Sequence, residues 1–159
     1  MRGRSRSAPA RTSSAYDDAV RYLGPRQRSV LELRRHLTKK GHDEKDVAGA
    51  LERLREQGYV DDREFARFWL EQRAAHKPKG EFALRSELRA KGIDARIVDE
   101  LIEEGERDEA AVARKALAPR LARWSGLDPR ERKLKAQAFL RQRGFAFDTI
   151  EEVLASIEP

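Results

Sequence analysis

Residues 33–54 read LRRHLTKKGHDEKDVAGALERL, a basic helical pattern that ends at Gly41 and an acidic helical pattern that follows it. The same arrangement returns around Gly92 and Gly144, so that the three glycines are spaced 51 and 52 residues apart. A leucine lies four residues before each glycine, a cation directly before it, and aliphatic residues six and ten residues after it. The positions are Leu37, Lys40, Val47 and Leu51; Leu88, Lys91, Val98 and Ile102; and Leu140, Arg143, Ile150 and Leu154. Self-similarity at a fixed period is typical of repeat proteins.

The apolar spacing in and around each repeat predicts three helices per repeat. Apolar residues recur at three- and four-residue steps, and capping pairs mark helix starts, among them Ser29 with Glu32 and Asp128 with Pro129. The repeated glycines fit the left-handed residue that ends a helix, and no segment shows the alternation of a strand. Pro119 lies inside the seventh predicted helix and should kink or divide it.

We therefore predict an all-α fold of three tandem three-helix repeats that form an elongated, curved helical array. The predicted bounds are 15–60, 61–106 and 107–159, preceded by a disordered basic tail over residues 1–14. One unit of this size would bury too little surface to be secure alone, so neighbouring units should pack together. The tail also permits two other interpretations, a transit peptide or a nucleic-acid-binding arm.

Composition excludes several classes of site. The 159 residues include no cysteine, which rules out disulfides, thiolate metal sites and cysteine nucleophiles. His36, His42 and His76 match no metal-ligand spacing, and the repeated glycines belong to no phosphate-binding loop. No apolar run approaches the length of a membrane helix. We expect no catalytic residue, no metal or other cofactor and no membrane partner, and we expect a cytoplasmic monomer.

The charge distribution points to a binding surface. Charged residues make up 39% of the chain, the net charge is +6, and the local sign alternates with the repeat. Cations on the basic helices would recur along a stacked array and suit a long anionic or acidic partner. The candidate partner- or DNA-binding residues are Arg34, Arg35, Lys39, Lys40, Lys77, Lys79, Arg85, Arg89, Lys91, Lys133, Arg141 and Arg143. Alternatively, each basic helix pairs with the acidic helix that follows it.

One long run carries a family resemblance. GYVDDREFARFWLEQRAAHKPKGEFALRSELRAKGI, from Gly58 to Ile93, resembles the bacterial RecX regulators of the recombinase RecA. ELRRHLTKKG before it and RKLKAQAFLRQRGFAFDTIEEVL after it extend the resemblance over about residues 15–157. Its most specific part is GYVDD followed by the basic LRSELRAKGI, whereas the HKPKGEF junction is an unusual form of the family's basic linker.

The resemblance implies a function that composition does not supply. It implies binding along the RecA filament on DNA, in its groove and across protomers, and restraint of ATP hydrolysis, strand exchange and the stimulated self-cleavage of repressors. It also makes Arg34, Arg85 and the cations beside the glycines candidate contacts, with single-stranded or duplex DNA as a secondary contact.

Two other functions remain open at the level of sequence. One is a stand-alone, sequence-independent DNA- or RNA-binding helical protein, and the other is a helical scaffold for a different partner. Phe82, Phe139 and Phe145 fit a hydrophobic core as readily as a platform on which bases stack. Sequence-specific reading of bases is therefore not expected.

Overall fold

The computed structural model describes residues 13–157, and these contain nine α-helices and no strand. The helices are α1 (Ala15–Leu23), α2 (Val30–Lys39), α3 (Glu44–Glu56), α4 (Asp62–Ala75), α5 (Glu81–Ala90), α6 (Ala95–Glu104), α7 (Glu109–Arg123), α8 (Pro129–Gln142) and α9 (Phe147–Ala155). The all-α prediction is confirmed. The predicted tail lies outside the described residues except for Ser13 and Ser14, and Ser14 accepts a 3.0 Å hydrogen bond from the backbone N–H of Asp17 at the start of α1.

The chain divides into two compact units, Met1–Val60 and Asp61–Pro159. The described part of the first unit is α1–α3, which pack around one apolar core. Leu33 and Leu37 from α2 meet Val47 and Leu54 from α3 in this core, and all four are fully buried. Burying a side chain of this size contributes roughly 1.5–3 kcal/mol, so these few residues account for much of the stability of α2 and α3.

The second unit contains two three-helix repeats, α4–α6 and α7–α9, and each has its own apolar cluster. The first cluster contains Phe65, Ala66, Leu88, Ile93, Val98, Leu101 and Ile102. The second contains Ala110, Ala113, Leu117, Ala136, Leu140, Phe145, Ile150, Val153 and Leu154. The register positions read from the sequence thus supply the core of every repeat.

The three basic helices α2, α5 and α8 end in the same way. Gly41, Gly92 and Gly144 have positive φ angles of 93°, 77° and 80°. In each case, the residue after the glycine donates its backbone N–H to the carbonyl of the leucine that lies four residues before the glycine. The N···O distances are 3.3 Å for His42 and Leu37, 3.0 Å for Ile93 and Leu88, and 3.2 Å for Phe145 and Leu140. This is the Schellman motif, in which a left-handed residue satisfies the last carbonyls of a helix. The prediction of glycine caps is confirmed.

Helix α7 is not divided at Pro119 but continues through it to Arg123. A proline inside a helix removes the hydrogen bond to the carbonyl four residues earlier, which here belongs to Lys115. Both Pro119 and Lys115 are exposed, so water can satisfy that carbonyl and the helix tolerates the proline.

The two repeats of the second unit meet through backbone atoms. The N–H of Gly80, which precedes α5, donates a 2.8 Å hydrogen bond to the carbonyl of Arg143 at the end of α8. A Cβ atom on Gly80 would lie 2.2 Å from the carbonyl oxygen of Gly144, and one on Gly144 would lie 2.3 Å from the Cβ of Ala83. Only glycine fits at both places, and the two helix ends are held in direct contact.

Candidate partner-binding surface

Seven of the twelve predicted contact residues are exposed and form no ion pair within residues 13–157. They are Arg35, Lys39, Lys40, Lys77, Arg89, Lys133 and Arg141. Because their charge is not neutralised by an ion pair inside the described chain, these side chains are available to a partner.

The other five predicted contact residues have partners within their own unit. Arg34 of α2 pairs with Glu44 of α3, and Arg85 of α5 pairs with Asp99 of α6. Lys79 pairs with Glu87, and Lys91 lies 5.4 Å from the ring centroid of Trp69. The Arg143 guanidinium lies 4.9 Å from the ring centroid of Phe139 and 3.5 Å from the carbonyl oxygen of Pro78. The alternative prediction is that each basic helix pairs with the acidic helix that follows it. This holds for Arg34 and Arg85.

Helix α8 differs from α2 and α5 in its charge balance. Arg130, Lys133, Lys135 and Arg141 are all exposed, and none of them forms an ion pair with another described residue. In α2 and α5, by contrast, an arginine is paired with a carboxylate on the next helix. Helix α8 therefore presents four exposed cations without an ion pair among the described residues, and the exposed Leu134 lies among them.

The structure separates the three phenylalanines that the sequence left undecided. Phe145 is buried in the core of α7–α9, and Phe139 is half-buried against that core. Phe82 on α5 is 76% exposed, and Phe147 at the start of α9 is 69% exposed. Phe82 therefore lies on the surface and is available to a partner.

Glu87 connects α4, α5 and the segment between them. Its carboxylate accepts hydrogen bonds from Trp69 Nε1 at 2.8 Å and Arg73 Nε at 3.0 Å, and it also pairs with Lys79. Burial raises the pKa of the Glu87 carboxyl, but the donors Lys79, Trp69 and Arg73 outweigh burial and leave the pKa below its usual value. The ionised carboxylate thus fixes the junction on which Lys77 and Gly80 lie.

Two further arginines form ion pairs between the first and the third helix of a repeat. Arg63 of α4 pairs with Glu100 and Glu104 of α6, at 2.6 and 2.7 Å, and Arg114 of α7 pairs with Glu152 of α9 at 3.1 Å. The hydrogen bond to Glu100 raises the pKa of Arg63. The sequence prediction missed these pairs because helix faces that meet in space are not adjacent along the chain.

The first unit contains a buried carboxylate next to a histidine. Asp18 of α1 is only 4% exposed. It accepts a hydrogen bond from Ser13 Oγ at 2.6 Å, lies 2.6 Å from His42 Nε2, and is 3.3 Å from Arg21 Nη1. The hydrogen bond from Ser13 and then that from His42 lower the pKa of Asp18 from 3.8 to about 2. Asp18 therefore remains ionised in the folded protein at all but very acid pH.

This geometry predicts an acid-sensitive step in the unfolding of the first unit. Because the folded pKa of Asp18 lies below its ordinary value, its stabilising effect is fully present above pH 3.8 and is lost as the pH falls toward about 2. In Asp18→Asn this pH-dependent part should be absent, and the variant should unfold at lower temperature than the wild type at neutral pH. Thermal unfolding followed by circular dichroism at a series of pH values measures both effects.

The matched control is Asp17→Asn, which removes the same charge from the neighbouring exposed position. We expect its melting temperature to follow that of the wild type between neutral pH and pH 2. Equal acid dependence in Asp18→Asn and the wild type would show that the Asp18 pair does not contribute to stability.

A groove of about 650 Å³ lies between α4, α6 and α7 in the second unit. Its apolar lining includes Leu70, Ala74, Leu101, Ile102 and Val112, and its rim carries Arg67, Glu71, Glu104, Arg107, Asp108 and Lys115. The rim contains three cations and three carboxylates, so its formal charges balance and do not point to an acidic or a basic partner.

Residues 13–157 contain no group of three histidine or acidic side chains placed to hold a metal ion. Within the same residues, no helix is both long enough and apolar enough to cross a membrane. The features that remain are the exposed cations and apolar side chains of the basic helices.

The fold and this surface place the chain in the class of all-α proteins that consist of three-helix repeats with charged helix faces. Three family models match the chain in order: the RecX first three-helix domain over residues 15–54, the second over 61–102 and the third over 107–154. The chain belongs to the RecX family. The structure and the family match together confirm the predicted arrangement of three-helix repeats.

Individual relatives agree with this assignment. The chain is 37% identical to the regulatory protein RecX of Chlorobaculum tepidum over 142 residues, which are 89% of this chain and 87% of the relative. It is also 37% identical to the regulatory protein RecX of Chlorobium phaeobacteroides, over 90% of this chain and 93% of the relative. The crystal structure of RecX from Lactobacillus salivarius superimposes with a TM-score of 0.78 at 20% identity, over 89% of this chain and 92% of that chain, which shows the shared fold.

Proposed function

We propose that this protein is a cytoplasmic regulator that binds the RecA filament on DNA and restrains its ATP hydrolysis, strand exchange and coprotease activity. The observation that carries the proposal is the match of all three RecX domains, in order, to the described repeats. Relatives that cover most of the chain are named regulatory proteins. The protein acts as a monomer without chemistry of its own, and its domains have the bounds 15–60, 61–106 and 107–159.

The exposed cations support a filament as the partner. They recur on the basic helix of each repeat, as Arg35 on α2, Arg89 on α5 and Arg141 on α8. Several weak contacts on linked modules add through their high effective concentration when the partner is itself a repeating polymer. A regulator built in this way can bind firmly although each single contact is weak.

The test is the DNA-stimulated ATP hydrolysis of the recombinase from the same bacterium. We expect substoichiometric amounts of the protein to lower the turnover, because one molecule on the filament affects several protomers. Co-sedimentation with the filament establishes the protein concentration at which binding is complete. Unchanged turnover at that concentration would refute the proposal.

Direct binding of DNA is the second candidate function, and the unneutralised cations of α8 favour it. Phosphate contacts would make the affinity fall steeply with salt concentration. Titration of a short single-stranded oligonucleotide without recombinase, across a salt series, measures this dependence. Tight binding with a steep slope, combined with no effect on ATP hydrolysis, would make DNA binding the main activity.

A further inference from the structure

An exposed apolar residue occupies the same register position in both repeats of the second unit. Phe82 lies ten residues before Gly92 and is 76% exposed, and Leu134 lies ten residues before Gly144 and is 61% exposed. In the first unit the same position is Leu31, which is half-buried. Single exposed apolar side chains are common on protein surfaces, but a recurrence at the same position of successive repeats needs an explanation.

Packing within the repeat does not explain these side chains. The core face of α5 carries Leu84 and Leu88, which are fully buried, and the core face of α8 carries Ala136 and Leu140, which are also fully buried. Phe82 and Leu134 belong to the exposed faces of these helices, which the fold leaves uncovered.

Cations accompany both apolar residues. Phe82, Arg85 and Arg89 follow one another at three and four residues, which places them on one face of α5. On α8 the corresponding face carries Leu134 and Arg141, with Arg130 one turn before Leu134. Each helix thus presents an apolar side chain and, seven residues or roughly 10 Å further along, an exposed arginine.

We propose that these two faces bind an acidic surface of a partner protein. At each face, the exposed apolar side chain enters a pocket of the partner, and the exposed arginine contacts one of the partner's carboxylates. This inference rests on the proposed function, and the partner is the protein component of the filament. Buried apolar anchors surrounded by polar contacts are the usual arrangement of binding energy in a protein interface.

The identity of the apolar residues favours a protein partner over stacking on the bases of single-stranded nucleic acid. Stacking on a base requires the flat face of an aromatic ring, which phenylalanine has and leucine lacks. Phe82 and Leu134 occupy the same register position, and what they share is apolar volume. An apolar pocket in a protein accepts both side chains, whereas a base-stacking site accepts only the first.

The test measures binding of Phe82→Ala, Leu134→Ala and the double variant to recombinase filaments assembled on single-stranded DNA. Because truncation of an anchor residue weakens an interface strongly, each single variant should bind about tenfold more weakly and the double variant more weakly still. The control is Phe147→Ala, which removes a similarly exposed phenylalanine of the same unit from outside the shared register, and it should bind like the wild type. Binding of each variant to the DNA alone is measured in parallel and should not change.

The possible outcomes are distinct. If the wild type binds the filament and the Phe82 and Leu134 variants bind equally well, the inference is overturned. If these variants lose affinity for free DNA by the same factor as for the filament, the faces are nucleic-acid sites and the inference is also overturned. If the wild type does not bind the filament at all, the proposed function fails and this assignment of a partner fails with it.

Discussion

Replacing Gly144 by alanine should destabilise the second unit by about 3–5 kcal/mol, because two separate requirements for glycine coincide there. Its φ of +80° lies in the left-handed region that disfavours any Cβ atom. In addition, a Cβ atom would lie 2.3 Å from the Cβ, 2.6 Å from the backbone nitrogen and 2.9 Å from the Cα of Ala83. Backbone atoms cannot rotate away, so the junction between α5 and α8 must open.

Substitutions at two other glycines measure the effect of the positive φ and the effect of the close contact separately. Gly41 occupies the same register position with a φ of +93°, but no atom lies within 4 Å of the Cβ that alanine would add, so Gly41→Ala should cost only about 1–2 kcal/mol. Gly80 has an ordinary φ of −71°, but its Cβ would lie 2.2 Å from the Gly144 carbonyl oxygen. Gly80→Ala should therefore cost about 2–3 kcal/mol through the clash alone.

Chemical denaturation followed by circular dichroism compares all three variants. Both tryptophans of the chain, Trp69 and Trp124, belong to the second unit. Their fluorescence therefore reports the decrease in the stability of this unit caused by substitution of Gly80 or Gly144. Equal costs at Gly144 and Gly41 would show that the close contact between the two repeats is not formed in solution.

Local signals made most of the fold predictable. The capping side chain of Ser29 accepts the N–H of Glu32 at 3.2 Å, and that of Asp128 accepts the N–H of Arg130 at 2.9 Å, as the sequence indicated. Such bonds join residues two or three positions apart, and the glycine caps likewise depend on only a few neighbours. The repetition then made the arrangement of repeats predictable as well, since one recognised repeat indicates the pattern of the other two.

The reason for Gly80 was not predictable in the same way, because its close neighbour Gly144 is far away along the chain. One signal was nevertheless present. The basic helices α2 and α8 begin at capping side chains, Ser29 and Asp128, whereas α5 begins at Gly80, which has no side chain with which to cap. A glycine at a position where a capping side chain is expected indicates that another part of the backbone approaches closely.

The His42–Asp18 pair was also missed, although the register contained a signal for it. The residue that follows the repeated glycine is Ile93 in the second repeat and Phe145 in the third, and both are buried. In the first repeat it is His42, a polar residue at an apolar position. Such an exception indicates a buried polar partner, but only the structure shows that the partner is Asp18 on α1.

The predicted surface could not be divided by sequence into paired and unpaired cations. Arg34 and Arg35 are neighbours in one basic run, yet Arg34 pairs with Glu44 while Arg35 is exposed without an ion pair among the described residues. The distinction depends on where the next helix lies, which a run of charges does not specify. This division now determines which residues test the proposed function.

Reversing three unpaired cations, in the variant Arg35→Glu/Arg89→Glu/Arg141→Glu, should raise the concentration needed to inhibit recombinase ATP hydrolysis by about tenfold or more. Each of these residues is exposed and free of an ion pair within residues 13–157, so reversal breaks no internal ion pair, and circular dichroism checks that the helix content is retained. Each reversal also places a carboxylate against an acidic partner, and repulsion adds to the lost attraction. Reversal of Arg34 or Arg85 would be a weaker test because it also breaks an internal ion pair.

The matched control is Lys45→Glu/Arg96→Glu/Arg123→Glu, which changes the net charge equally through exposed residues outside the basic helices. If inhibition depends on local contacts, the control should inhibit like the wild type, whereas equal losses in both variants would mean that only overall charge matters. A salt series then identifies the partner of the three arginines. Contacts with phosphates should lower the slope of log affinity against log salt for free single-stranded DNA by about 0.7 for each arginine reversed. An unchanged slope for free DNA, together with a tenfold loss of filament inhibition, would place these arginines against protein carboxylates, which is the contact proposed above for Arg89 beside Phe82 and for Arg141 beside Leu134.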